Sequence, residues 1–242
     1  MYFKKKFLFG LITIIINNLF LGFYNHLMKN NKFFDLRFIQ KENKKKTFYE
    51  SIFIHFSHLE GFLLISLYLF IMWDYNLLSD NYYNHNKSID IYNGCLFLLL
   101  LDFLQYISHF LLHKLIYINT YLYTISHRYH HKFLNPVFYK AYSGSILDTV
   151  LMIIIPLHIT QKLISLNYFT YLLVGNIYSC WLTLLHFDFH HPWDKFFKKI
   201  GFGTPSYHHV HHKTYKYNYG HLFIYWDKIF GTYLDSNAIF KS

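Results

Sequence analysis

The sequence predicts an all-α integral membrane helical bundle with a cytoplasmic helical cap that carries a histidine-rich dimetal site. Three observations predict it. Of 242 residues, 53% are hydrophobic and only 15% charged, against about 25% charged in a soluble domain. The apolar residues fall in long runs. Most of the 18 histidines are gathered near the polar ends of those runs, at spacings of three and four.

Five stretches are apolar enough to enter a bilayer, where about 20 such residues are needed to cross. Phe7 to Tyr24 comes first. Lys4 to Lys6 give it the start of a signal peptide, but no small-residue cleavage site follows, so it reads as an uncleaved anchor. Gly61 to Trp73, extended backwards through "SIFIHFSHLE", is the second and Cys95 to Leu112 the third. The fourth, Ile146 to Ile159, is short and contains Pro156. Tyr168 to Leu185 is the fifth. No repeat or Pro/Gly-rich linker interrupts them. Cys95 and Cys180 lie in apolar runs and read as packing residues, too few for a disulfide framework or a thiolate metal site.

Charge orients the segments. The stretch Asn25 to Glu50 carries Lys29, Lys32, Arg37, Lys41 and Lys44 to Lys46, which reads as cytoplasmic. Asp74 to Asn93 holds three aspartates against Lys87 and reads as lumenal, with a sequon at Asn86. The net charge of +10 would suit nucleic acid or an anionic membrane surface. The apolar runs assign it to the membrane, and no nucleic-acid partner is expected. Everything after Leu185 is expected on the cytoplasmic side.

Four clusters hold most of the histidines. "DFLQYISHFLLH" supplies His109 and His113. "SHRYHHKF" supplies His127, His130 and His131. "LLHFDFHHPW" supplies His186 and His190, and "YHHVHH" supplies His208, His211 and His212. Residues three and four apart share a helix face, so each cluster can aim its imidazoles at one point. Ten such ligands exceed what one tetrahedral ion uses and fit two metals with open positions. Lone histidines such as His26, His55, His58, His85 and His158 read as ordinary surface or core residues, and His191, His209 and His221 as supporting or surface groups. Imidazole suits zinc, copper, iron and nickel alike. The HExxH pattern of zinc proteases is absent.

These motifs resemble the fatty acid hydroxylase/sterol desaturase superfamily of membrane di-iron enzymes. The resemblance runs from about Asp102 to Tyr233 through "DFLQYISHFLLH", "LYTISHRYHHK", "HFDFHHP", "TPSYHHVHH" and "NYGHLFIYWDKIFGTY". Phe110 stands where the family usually has arginine. The resemblance implies a catalytic region over residues 95–235, following anchor segments at 1–94, in one continuous domain. It implies two iron ions, O2 as co-substrate and a lipid whose C–H bond is hydroxylated or desaturated in the endoplasmic reticulum membrane. Cytochrome b5 or a reductase would supply electrons. Asp102, Tyr106 and Asp188 are expected to hydrogen-bond the ligand imidazoles, as partners of metal-bound histidines usually do. Asn218, Tyr219, Gly220, Trp226, Asp227, Gly231 and Thr232 are expected to be architectural. The competing reading is a membrane protein that binds or transports metal without catalysis.

Overall fold

The computed structural model describes residues 3–30, 37–40, 60–132, 134–138, 141 and 144–240. Among these, helices dominate, and extended pairing is limited to two isolated bridges, Phe38 with Phe189 and Phe202 with Phe223. Among the described residues, four helices are long and apolar enough to cross a membrane.

The first is α1, Phe3–Asn30. The second apolar stretch of the sequence forms α2, Glu60–Asp74, whose 15 described residues are too few to count among those four; its backward extension lies outside the described residues. The third is α3, Ile91–Ile118, started by Asp90, whose carboxylate accepts the amide of Asn93 at 3.0 Å. Its 28 residues span about 42 Å at 1.5 Å per residue, more than the roughly 30 Å hydrocarbon core. The end that bears His109 and His113 can therefore reach the interface. A short helix α4, Thr120–Ile125, and a 3-10 turn, His127–Lys132, follow.

The fourth segment, α5, runs over Ile146–Leu163. It is continuous despite Pro156 because the turn before it, Val150–Ile154, is π-helical. That wider turn makes room for the proline ring, which in a regular helix meets the carbonyl four residues earlier. The fifth segment, α6, is Tyr168–Leu185, started by Asn167, which caps Thr170 at 3.0 Å. Three shorter helices follow: α7, Asp194–Lys199; α8, Pro205–Thr214; and α9, Tyr225–Ile229. Pro205 opens α8 and Tyr215, at φ 61°, closes it in the left-handed region.

Helix α6 packs against α1, α3 and α8, while α3 also packs against α5. One core lies between α2, α3 and α6 around Trp73, Tyr82, Phe97 and Tyr171. A second joins the end of α1 to Phe187 and Phe189. Cys180 packs against that second core, whereas Cys95 is exposed. Large apolar side chains such as Phe20, Leu63, Leu67 and Leu111 remain outward-facing, as lipid contact requires. The chain is a multi-pass membrane protein.

Candidate metal centre

The structure gathers nine histidines into two adjacent groups. His109 and His113 from α3, His127 and His131 from the 3-10 turn and His211 from α8 form one. His130, His186 from the end of α6, and His208 and His212 from α8 form the other. Within each group the ligand nitrogens lie within 4.8 Å of one another. All but the partly buried His130 are buried.

The hydrogen bonds fix which nitrogen faces inward. Nδ1–H of His109 donates to the Tyr219 carbonyl at 2.7 Å, that of His127 to the Asp148 carboxylate at 2.8 Å, and that of His211 to the Tyr217 carbonyl at 2.9 Å. In the second group Nδ1–H of His186 donates to the Leu182 carbonyl at 2.7 Å. Each of these rings thus presents a bare Nε2 lone pair. His131 Nε2 stands 2.9 Å from His113 Nε2, 3.0 Å from His127 Nε2 and 3.1 Å from His211 Nε2. A single Nε2–H could satisfy only one of those neighbours. His208 Nε2 is similarly 3.2 Å from that of His186 and 3.1 Å from that of His212. The buried Nε2 of His109 has no hydrogen-bond partner among the described residues. Converging lone pairs of this kind are costly to bury unless a cation accepts them, so the residues fit a metal.

Burial is the largest influence on these rings. It pushes His131, His186, His208, His211 and His212 well below the usual histidine range. They are neutral at pH 7, the form that ligates metal.

The two HxxHH segments are each divided between the groups. The i, i+4 pairs His127 with His131 and His208 with His212 stay together, and the intervening His130 and His211 serve the opposite group. The sequence expectation of one focus per cluster is corrected accordingly. His190 joins neither group. Helix α6 ends at Leu185, so the i+4 relation to His186 no longer means a common face. The imidazole of His190 is 41% exposed and lies 3.8 Å from Asp194.

The three expected supporting residues act elsewhere. Asp102 is fully buried and accepts the amides of Leu222 at 2.7 Å and Phe223 at 3.0 Å, and the Trp226 indole at 3.0 Å. It lies seven residues before His109, about 10 Å along the helix, too far to reach that ring. Tyr106 pairs with Thr232 at 3.0 Å, and Asp188 with Lys29 at 2.7 Å. Asp102 still matters to the site, because it and Asp227 clamp the loop that supplies the Tyr219 carbonyl. Asp227 accepts the amides of Tyr219 at 2.8 Å and Gly220 at 2.7 Å. A side chain at Gly220 would place Cβ 2.6 Å from the Phe223 carbonyl oxygen. The architectural reading of the "NYG" and "WD" residues fits this clamp.

Asp148 is the carboxylate that does hold one of the gathered rings, that of His127, and the sequence reading missed it. Its signal was an acid placed just inside an apolar segment, which is expensive without a partner. Asp148→Ala is expected to lower metal affinity by about 10- to 100-fold, measured by competition with a chelator. Asp188→Ala should leave affinity near that of the unaltered protein.

His209 and His191 are both buried and structural. His209 Nε2–H donates to the Phe187 carbonyl at 2.9 Å; His191 Nδ1 pairs with Tyr24 at 3.0 Å and its ring stacks on Trp193. His221 stacks on His109 with ring centres 5.1 Å apart, and its buried Nδ1 has no partner among the described residues.

Comparison with known proteins agrees with the resemblance. Residues 94–232 match the fatty acid hydroxylase family model. The chain is 39% identical, over 95% of its length, to a Phaeodactylum tricornutum protein named alternative squalene epoxidase, and spans 66% of that protein. It is 30% identical over 59% of its length to a Nicotiana tabacum Delta(7)-sterol-C5(6)-desaturase, spanning 49% of it. A Danio rerio cholesterol 25-hydroxylase-like protein is 31% identical over 56% of the chain, which spans 53% of that relative. No solved structure matches. The ordered histidine motifs, the paired groups they build and the family match over residues 94–232 agree: the chain belongs to the fatty acid hydroxylase/sterol desaturase superfamily.

Proposed function

We propose that the protein is an oxidoreductase that uses O2 to oxidise a lipid hydrocarbon at a di-iron centre. The observation that carries this reading is the pair of adjacent all-imidazole groups whose bare nitrogens face inward. His109, His113, His127, His131 and His211 would hold one ion, and His130, His186, His208 and His212 the other. Iron there supplies the redox reactivity towards O2 that zinc lacks. The protein contributes the rest. Asp148 and the carbonyls of Tyr217, Tyr219 and Leu182 hold four rings in the ligating tautomer. Burial keeps water from the histidines.

The 39% match to a protein named squalene epoxidase favours oxygen transfer to a C=C bond of a squalene-like isoprenoid. Hydroxylation or desaturation of a fatty acyl, sphingoid or sterol lipid would use the same site. In an epoxidation one oxygen atom of O2 enters the alkene. The other leaves as water, with two electrons and two protons from an external donor. Cytochrome b5 or a reductase fits that role, approaching a basic cytoplasmic face of the endoplasmic reticulum membrane. Metal transport is less well supported, because the space beside the histidines is lined, among the described residues, by no ionisable group other than the histidines themselves and Asp148, where a crossing path would continue along such groups.

The test is to strip the metal and reconstitute separately with iron and with zinc. Each sample then receives O2, a reductant and squalene or a lipid extract. Oxidised lipid with iron alone, at two irons per chain, is the expected result. Equal turnover with zinc would overturn the reading.

A further inference from the structure

Helices α7 and α9 present one apolar face to the outside. Trp193, Phe196 and Ile200 recur at steps of three and four and so share a side of α7. Phe197, between them, turns inward onto Trp181 of α6, with ring centres 4.9 Å apart. On α9, Tyr225 and Ile229 are four apart and Phe230 follows them. All six are exposed, Phe196 by 60% and Ile229 by 67%. The two helices are fastened together. Tyr225 donates to the Ile200 carbonyl at 2.9 Å, and the Ile224 amide donates to the Gly201 carbonyl at 2.9 Å. Gly201, at φ 91°, lies against the Tyr225 ring, where an added Cβ would come within 2.1 Å. The face is thus a built surface rather than a scatter of side chains. Contiguous apolar patches of this kind mark contact with a partner or a membrane.

Its height along the bundle favours the membrane. Helix α7 packs beside α6 at Trp181, whose indole N–H donates to the Gly203 carbonyl at 3.2 Å. Helix α9 packs beside α3 at Phe103, whose ring centre is 4.8 Å from that of Trp226. Trp181 stands five residues before His186 and Phe103 six before His109, about 8 and 9 Å along their helices. Both contacts therefore lie nearer the middles of the membrane-crossing helices than the histidines do. One turn further in, Ile177 on α6 and Leu99 on α3 are each 40% exposed, as lipid-facing residues are. The α7–α9 face continues that lipid-facing surface.

Charge agrees. Lys195, Lys199 and Lys228 belong to the same two helices, are exposed, and take part in none of the ion pairs among the described residues. The neighbouring acids are withdrawn: Asp194 and Asp227 are buried, and Asp235 is paired with Lys198 at 2.8 Å. Aromatic and aliphatic side chains edged by lysines suit the headgroup region of a bilayer. The long lysine stems let the ammonium groups reach phosphate while the rings stay at the acyl boundary. An acidic protein could meet the same lysines, but only at the level where α3 and α6 already face lipid.

We infer that the α7–α9 face is seated in the leaflet on the histidine side of the bilayer, with its apolar side chains submerged and Lys195, Lys199 and Lys228 on the phosphates of anionic lipids. The inference depends on the chain being a membrane protein and not on the reaction it performs.

The experiment uses the purified full-length protein in lipid nanodiscs, with Cys95→Ser and Cys180→Ser as background. A spin label is attached at Phe196→Cys, at Ile229→Cys or, as a control on the exposed loop before α3, at Lys87→Cys. Collisions with O2, which concentrates in lipid, are compared with collisions with a water-soluble nickel chelate. The labels on α7 and α9 should favour O2 severalfold more than the control does. Their preference should be greater in phosphatidylcholine with phosphatidylserine than in phosphatidylcholine alone, because basic side chains near the surface are drawn to anionic lipid. Lys195→Gln, Lys199→Gln and Lys228→Gln together should remove that difference. Metal per chain should be unchanged in every variant. Nickel contact at both labels equal to that of the control would place the face in water and overturn the inference. Shielding of both labels from O2 and nickel alike would make the face a protein contact and overturn it as well. Immersion that ignores phosphatidylserine would overturn the assignment to anionic lipid.

Discussion

His131→Ala is expected to release metal from the first histidine group and to lower lipid oxidation by more than about 100-fold, beyond the 10- to 100-fold typical of a residue that only supports a ligand. His131 is the hub of that group, with three other Nε2 atoms at 2.9 to 3.1 Å. Removing it leaves a buried gap that no neighbouring ring can fill, since His109, His127 and His211 are each held in place through Nδ1. Metal analysis of the purified variant reads the first effect and product formation the second. His190→Ala is the matched control: its ring is 41% exposed and outside both groups, so metal content should be unchanged. Full metal content in His131→Ala would contradict the assignment.

Asp102→Ala should be the most destabilising change outside the histidines, by about 3 kcal/mol or more. Its carboxylate is the acceptor for two amides and one indole N–H, and each buried donor left unpaired costs about 1–3 kcal/mol. The loss should appear as a lower denaturation midpoint in detergent. The loop from Tyr219 to Trp226 would loosen with it, and His109 would lose its fixed acceptor. Metal should then dissociate faster, although Asp102 touches no imidazole. Asp102→Asn keeps one carbonyl acceptor and should lose less. Similar stability in the alanine variant would mean the clamp is not needed.

Much of this was legible in the sequence, for identifiable reasons. Apolar runs report transmembrane helices because every backbone group must be paired within the segment. The α3, α5 and α6 segments were readable on that basis. Histidine spacing reported which histidines gather wherever the local structure was helical, as in α3 and α8. It failed at His190 because a spacing rule carries no information past a helix end. It also did not reveal how each HxxHH divides. Neighbouring residues on a helix differ by about 100°, so the two members of each His–His doublet face different centres. Asp148 was hidden because its partner, His127, lies 21 residues away in sequence, and such pairing is set by packing. Asp102 was noticed as a possible partner of the imidazoles on its own helix, but its acceptor role points to a loop more than a hundred residues later.

With one ion in each group, as proposed, the division of each histidine doublet would make the two ions thermodynamically dependent on each other. The 3-10 turn at His127–Lys132 and helix α8 each give ligands to both groups. Whichever ion binds first fixes both segments and spares the second the conformational entropy of ordering them. Loading should therefore be positively cooperative, with singly metallated protein scarce at every metal concentration. The same coupling works in reverse: loss of one ion loosens ligands of the other, so chelation should proceed in a single transition. An enzyme that needs both ions at once to handle O2 would in this way avoid a half-loaded state.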